Sequence, residues 1–411
     1  MQTLNVYEDG IGPRLSSKAW GELSLKAARL LPNLHSLEWY SAPDTFIYIN
    51  LFPTPRLTPL RVLRVRVTPN IPNVVLILAL LPVEALEEMR FLNHSGDRAV
   101  QDAISGLVLC TRAALRSIEV SSDLSDAAIR HLARLPNLTD ASVGFANPDG
   151  RVAASNTFPS LRSLETKADG KGGWKYLLGH GDRLESIVLL SPTVLRPGEV
   201  ADVFGFLVSR GLHRTIRLLS FASVEPYDLT PLVLAPLLKF GCLTRLSVTS
   251  PSCNPGRCTS RLTDDALGRL AEALPQLVEL FLGNIPCGSP APGITLAGLF
   301  PLSIHCLQLE TLQVHFSALD IPTKIPDGAL SKPSDQMPLA PNHCRLVRIV
   351  VGRLPIASSG KPLLSVAFFL HQMFPMLSKI VHTTRDSPWR DVQGHLEVFQ
   401  KYRPKKVIWK G

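Results

Sequence analysis

The sequence predicts an α/β solenoid, in which short parallel strands stack into a sheet and helices cover its other side. Three observations predict it. Leucine fills 67 of 411 positions, about one in six, whereas aromatic residues make up 7% and charged residues 19%. A short apolar pattern, Leu-x-x-Leu-x-Leu with other aliphatics allowed, recurs along nearly the whole chain. The stretches between its copies carry the 3.6-residue rhythm of amphipathic helices. Proline (34) and glycine (27) together stay below the roughly 25–30% of a low-complexity, disordered chain.

The copies run, in order, Leu34/Leu37/Trp39, Leu60/Leu63/Val65, Leu86/Met89/Phe91, Leu115/Ile118/Val120, Leu138/Ala141/Val143, Leu161/Leu164/Thr166 and Leu184/Ile187/Leu189. They continue as Ile216/Leu219/Phe221, Leu243/Leu246/Val248, Leu277/Leu280/Leu282, Leu309/Leu312/Val314, Leu346/Ile349/Val351 and Leu377/Ile380/His382. From Leu34 to Leu377 the mean spacing is about 28.6 residues, at the upper end of the 20–29 of leucine-rich repeats. Met1, Leu4 and Val6 fit the same three positions, so the chain reads as beginning inside a repeat. Side chains alternate faces along a strand, so the fourth and sixth positions point inward and the third and fifth point outward. One such unit cannot bury its apolar face alone, and neighbours must stack. The expectation is a single domain over 1–411, a leucine-rich-repeat horseshoe of about 13–14 irregular repeats with a parallel concave sheet and convex helices.

The helices follow from stripes and caps. Val100, Ala103, Ile104 and Leu107 form one stripe. Ser125 followed by Asp126, Ala128, Ile129 and Leu132 reads as an N-cap, a first-turn acid and a buried face, and Thr263 to Leu274 repeats that design before Pro275. Further stripes run through Val203/Phe204/Leu207/Val208, Leu234/Leu237/Leu238, Phe369/Leu370/Phe374 and Trp389/Val392/Leu396/Phe399.

The phrases Leu31-Pro32-Asn33-Leu34, Leu135-Pro136-Asn137-Leu138, Phe158-Pro159-Ser160-Leu161 and Phe374-Pro375-Met376-Leu377 resemble the helix-to-strand junction of ribonuclease-inhibitor-like leucine-rich repeats. Leu124-Ser125-Asp126-Ala127-Ala128-Ile129 and Leu262-Thr263-Asp264-Asp265-Ala266-Leu267 resemble helix openings in F-box proteins. In layout the chain is similar to the fungal F-box and leucine-rich-repeat proteins. That resemblance implies recognition of a protein destined for ubiquitination. It departs in one respect: no F-box segment is visible, so contact with a ligase adaptor would need an F-box outside this chain. A stand-alone interaction protein is the alternative.

Other function classes find little support. The longest apolar run, Val74 to Val83, spans ten residues where a membrane helix needs about 20, and the N-terminus has no basic-then-apolar leader. A cytoplasmic or nuclear protein with its seven cysteines reduced is expected. The net charge of +9 includes five basic residues in the tail 401–411, which carries no acid. That tail reads as solubilising or, in a third and weaker functional reading, as a contact for an acidic ligand; specific nucleic-acid binding is not expected. The eleven histidines fall in no catalytic motif. Cys253 and Cys258 lack the two further ligands of a zinc site, and Asp169-Gly170-Lys171-Gly172-Gly173-Trp174 lacks the residues of a phosphate loop. No cofactor, metal or catalysis is expected.

The partner surface is placed on the polar positions of the pattern: His35, Glu38, Arg61, Arg64, Glu87, Arg90, Arg116, Glu119, Arg162, Glu165, Glu185, Arg245 and Glu310. Three proline- and glycine-rich insertions, Pro251 to Arg261, Asn284 to Thr295 and Asp320 to His343, each follow a strand and should line one rim. They read either as part of the binding face or as tolerated surface insertions.

Overall fold

The computed structural model describes residues 2–7, 34–40, 60–67, 83–93, 97–145, 158–168, 183–192, 196–223, 229–250, 261–283, 293–319, 344–352, 356, 361–382 and 387–401. The chain divides into two compact units, Met1–Leu189 and Leu190–Gly411. Met1, the residues of the three insertions other than Arg261, Gly293, Ile294 and Thr295, the Asp169–Trp174 segment, Cys253, Cys258 and the tail beyond Lys401 lie outside the described residues.

In the first unit β1 (Gln2–Tyr7), β2 (Leu34–Tyr40), β3 (Val62–Val67), β4 (Glu88–Asn93), β5 (Ser117–Leu124), β6 (Asp140–Phe145) and β7 (Ser163–Ala168) pair in chain order, every pair parallel. The entry to β8 (Ser186–Ser191) is tied to β7 where Glu185 and Ser186 N–H donate to Arg162 C=O at 2.8 and 3.0 Å. In the second unit β9 (Leu218–Ser223), β10 (Arg245–Thr249), β11 (Glu279–Leu282), β12 (Thr311–Gln313), β13 (Arg348–Gly352) and β14 (Lys379–His382) repeat the arrangement. All thirteen pattern copies lead into strands, and the leucine-rich-repeat fold class follows from that correspondence.

Equivalent positions stack in register. Leu63, Met89, Ile118, Ala141 and Leu164 form one inward row, and Leu219, Leu246, Leu280, Leu312, Ile349 and Ile380 form its counterpart in the second unit. All eleven are buried, as is Leu37. From Leu60 to Leu377 the first apolar residue of each copy, Leu115 and Leu277 among them, is buried at the strand entry.

Parallel neighbours require a return path, and helices supply much of it. The first unit has α1 (Arg98–Leu109) and α2 (Asp126–Leu132). Asp97 caps α1 by accepting from Ala99 N–H at 2.9 Å, and Ser125 caps α2 by accepting from Ala128 N–H at 3.3 Å. In the second unit α3 (Pro197–Ser209) starts on proline, buries Val200, Val203, Phe204 and Leu207, and ends at Gly211, whose φ of 77° suits a residue without a Cβ. The Leu234/Leu237/Leu238 stripe is two pieces, α4 (Pro231–Leu234) and a 3₁₀ turn over Ala235–Lys239. Pro236 has no N–H to continue an α-helix. Next comes α5 (Asp264–Ala273), capped by Thr263, which accepts from Ala266 N–H at 3.3 Å. Then follow α6 (Phe300–His305), α7 (Lys361–Met373) and α8 (Trp389–Lys401). Phe374 lies one residue past α7, closing its last turn with an N–H to Leu370 C=O bond of 2.8 Å.

Two side-chain devices tie elements laterally. Asp264, at the start of α5, accepts from both N–H and Oγ1 of Thr295, each at 2.7 Å, and Thr295 Oγ1 accepts from Gly298 N–H at 3.2 Å. A Cβ at Gly298 would lie 1.9 Å from Asp264 Oδ1, so that junction admits only glycine. At β14, Ser378 and Lys379 N–H donate to Val347 C=O on the β13 side. On the side β13 leaves unused, Gln393 of α8 accepts from Ile380 N–H at 2.6 Å and donates to Ser378 C=O at 2.9 Å, while Gln400 donates to Leu377 C=O. A primary amide thereby occupies the place another strand's peptide would take.

Candidate functional site

The outward sheet face of the first unit is an ordered lattice of charge. Register aligns Glu38, Arg64, Arg90, Glu119, Ser142 and Glu165, the fifth positions of six consecutive copies. Arg64 bonds Glu38 through Nη1 and reaches Glu88 through Nε at 2.9 Å. Arg90 Nε lies 3.0 Å from the same Glu88 oxygen and 3.3 Å from Glu119 Oε2. Five long side chains on four strands therefore hold one another in position. Glu88 holds the Arg64 pKa above its ordinary value, against the opposing effect of burial and with help from Glu38. Burial opposes ionisation of Glu88, but Arg64 and Arg90 outweigh it and leave its pKa below the usual carboxylate value.

Glu165 stands at the far end of this row in a different state. Burial, and then the negative charge of Glu119, push its pKa upward, and no cation pairs with it among the described residues.

The second positions form a separate row at the strand entries, linked through the backbone. Arg61 N–H donates to His35 C=O, Glu87 to Arg61, Arg116 to Glu87, and Glu185 to Arg162, at 2.7–2.9 Å. Arg61 pairs with Glu87 at 3.1 Å and Arg162 with Glu185 at 3.5 Å; Arg116 is exposed and His35 half-buried.

In the second unit Arg245 pairs with Glu279 at 3.7 Å, and Glu310 is exposed at the entry to β12. The thirteen sequence-selected residues thus fall at second, third (Arg245 alone) and fifth positions, eleven of them in the first unit and two in the second. Missing from the selection are third-position residues: Glu88, which joins both arginines, Glu279, Arg348 and Lys379. Strict period-two counting would have found them, because third and fifth positions share a face and second positions do not. Fifth positions in the second unit are mostly uncharged: Ser220, Ser247, Phe281, Gln313, Val350 and Val381.

Among the described residues no group of three or more His, Cys, Asp or Glu side chains is placed to hold a metal, and no helix is long and apolar enough to cross a membrane. Cys306 and Cys344 are buried free thiols. Burial pushes their pKa values up to about 12 and about 11, so the nucleophilic thiolate is suppressed at both.

The described flanks of the second and third insertions meet: Ser317 N–H donates to Ile294 C=O at 2.8 Å, and Thr295 and Ala318 form isolated parallel bridges with Ser317 and Ile356 respectively.

No protein-family model and no curated protein matches the chain. Among solved structures, a chain of the yeast Rad7–Elc1 complex has a TM-score of 0.40 and 12% identity, covering 90% of this chain and 75% of that one. A leucine-rich-repeat protein of Leptospira interrogans has a TM-score of 0.35 and 13% identity, covering 90% and 81%. Likenesses this distant carry no argument about function.

Proposed function

We propose that the chain is a non-catalytic protein-binding scaffold that recognises its partner with the outward sheet face, and that it serves substrate recognition in an F-box type ubiquitin ligase. The observation that carries the scaffold reading is the cross-strand lattice Glu38–Arg64–Glu88–Arg90–Glu119. Exposed long side chains ordinarily lose rotamer freedom on binding; these have already lost it, which lowers the cost of association. The lattice presents fixed donors and acceptors over several strands, a surface sized for another macromolecule rather than for a small molecule. Support for the ligase role comes from the helix-opening phrases Leu124–Ile129 and Leu262–Leu267, which resemble those of F-box proteins, and from the layout of the repeats.

A photo-crosslinking residue placed at Ser142, on the outward face, is compared with one at Asp102, exposed on α1. Discrete protein adducts are expected from position 142 only. Equal yields from both positions would defeat the scaffold reading. A cullin-ligase adaptor co-purifying with the adducted complex supports the ligase role, and its consistent absence selects the stand-alone role.

A further inference from the structure

We infer that the outward face of β11–β14 binds an acidic segment of a partner protein that also carries apolar side chains. The inference rests on the scaffold reading and adds the chemistry of the occupant.

In the first unit the face compensates itself: each of Arg64 and Arg90 has two glutamates. The last strands of the second unit do the opposite. Arg348 and Lys379 are directly in register on β13 and β14, both exposed, and neither has an acidic partner among the described residues. Like charges opposite one another on adjacent strands are destabilising. The nearby acids do not relieve them: Glu279 is engaged by Arg245, and Glu310 makes no ion pair among the described residues. Beside the two cations the fifth-position row carries Phe281, Val350 and Val381, all half-buried, and Gln313, whose amide is spent on Gly283 C=O at 3.2 Å. Uncompensated positive charge next to half-exposed apolar groups is complementary to carboxylates alternating with aliphatic or aromatic side chains. Strands lie about 4.8 Å apart, so four of them span about 15 Å, the reach of about five extended residues. A short linear segment fits that footprint.

The test selects a displayed library of random short peptides on the full chain and measures the winners by fluorescence anisotropy. Enriched peptides are expected to combine Asp or Glu with Leu, Ile, Phe or Trp. Their affinity should fall about tenfold or more on R348E/K379E and also on F281S, be weakened by salt, and be unchanged by R116E in the first unit. Arg348 and Lys379 are exposed, so the double variant should melt like the parent, and melting is checked. Peptides without acidic residues, acidic peptides indifferent to R348E/K379E, or no enrichment at all would overturn the inference. Adducts at position 142 together with any of those results would leave the scaffold reading standing and this one refuted.

Discussion

Leu280 sits fully buried between Leu246 and Leu312 in the inward row. Leu280→Ala removes methyl groups from a stack that cannot close around the gap, and should cost about 2–5 kcal/mol in chemical denaturation. An unchanged midpoint would contradict the register. Thr166 occupies the same kind of inward place at 1% exposure, yet its hydroxyl has no partner among the described residues. Thr166→Val keeps the shape and removes the orphaned group, and should stabilise by about 1 kcal/mol. Glu165 reports through pH. Its folded pKa lies above the ordinary value, so the folded state holds the proton more tightly and stability declines as pH rises through that interval. Glu165→Gln should therefore raise the melting temperature at neutral pH, with the gain vanishing below about pH 4, where the wild-type carboxyl is protonated in both states. Glu88 has the opposite sign: its pairing stabilises above the ordinary carboxylate pKa and is lost as pH falls through its lowered value.

At the scale of elements, the junction of Asp264, Thr295 and Gly298 joins the opening of α5 to the segment before α6. Gly298→Ala forces a carbon onto Asp264 Oδ1 and should destabilise by about 1–3 kcal/mol. Asp264→Ala removes both the clash and the anchor, so the double variant should be less destabilised than the sum of the singles. Apart from α6, which no apolar stripe announces, which elements form was legible in the sequence, because each leans on neighbours within a few residues: the paired leucines of a strand, Ser125 and Thr263 as caps, Pro236 as an interruption. Which polar side chains meet was much less legible. Glu88 and Arg64 are 24 residues apart and become neighbours only through strand register. His35, Arg61 and Glu87 alternate with the same leucines as Glu38 and Arg64 in the sequence, yet they stand in the strand-entry row and not in the mid-strand row. Gln393 had no signature either, since an amide on a helix reveals an edge-closing role only once Ile380 lies beside it.

For each unit as a whole, stability is a sum over neighbouring repeats, and open edges are its exposed points. Gln393→Ala unmasks Ile380 N–H and Ser378 C=O on the outer side of β14. Light scattering across a concentration series should then show self-association beyond that of the parent, while Gln393→Glu, which can still accept from Ile380, should show less. The strict chain-order pairing of strands in each unit also bears on how the protein is made. Every strand docks on the one synthesised a repeat earlier, so its template has already left the ribosome when it emerges. At about 5–20 residues per second a repeat of this length appears every few seconds, ample for local pairing before the next arrives. Nascent chain would thus be consumed by the growing end nearly as fast as it is exported, and little leucine-rich segment would be exposed to chaperones or to other nascent chains at any moment.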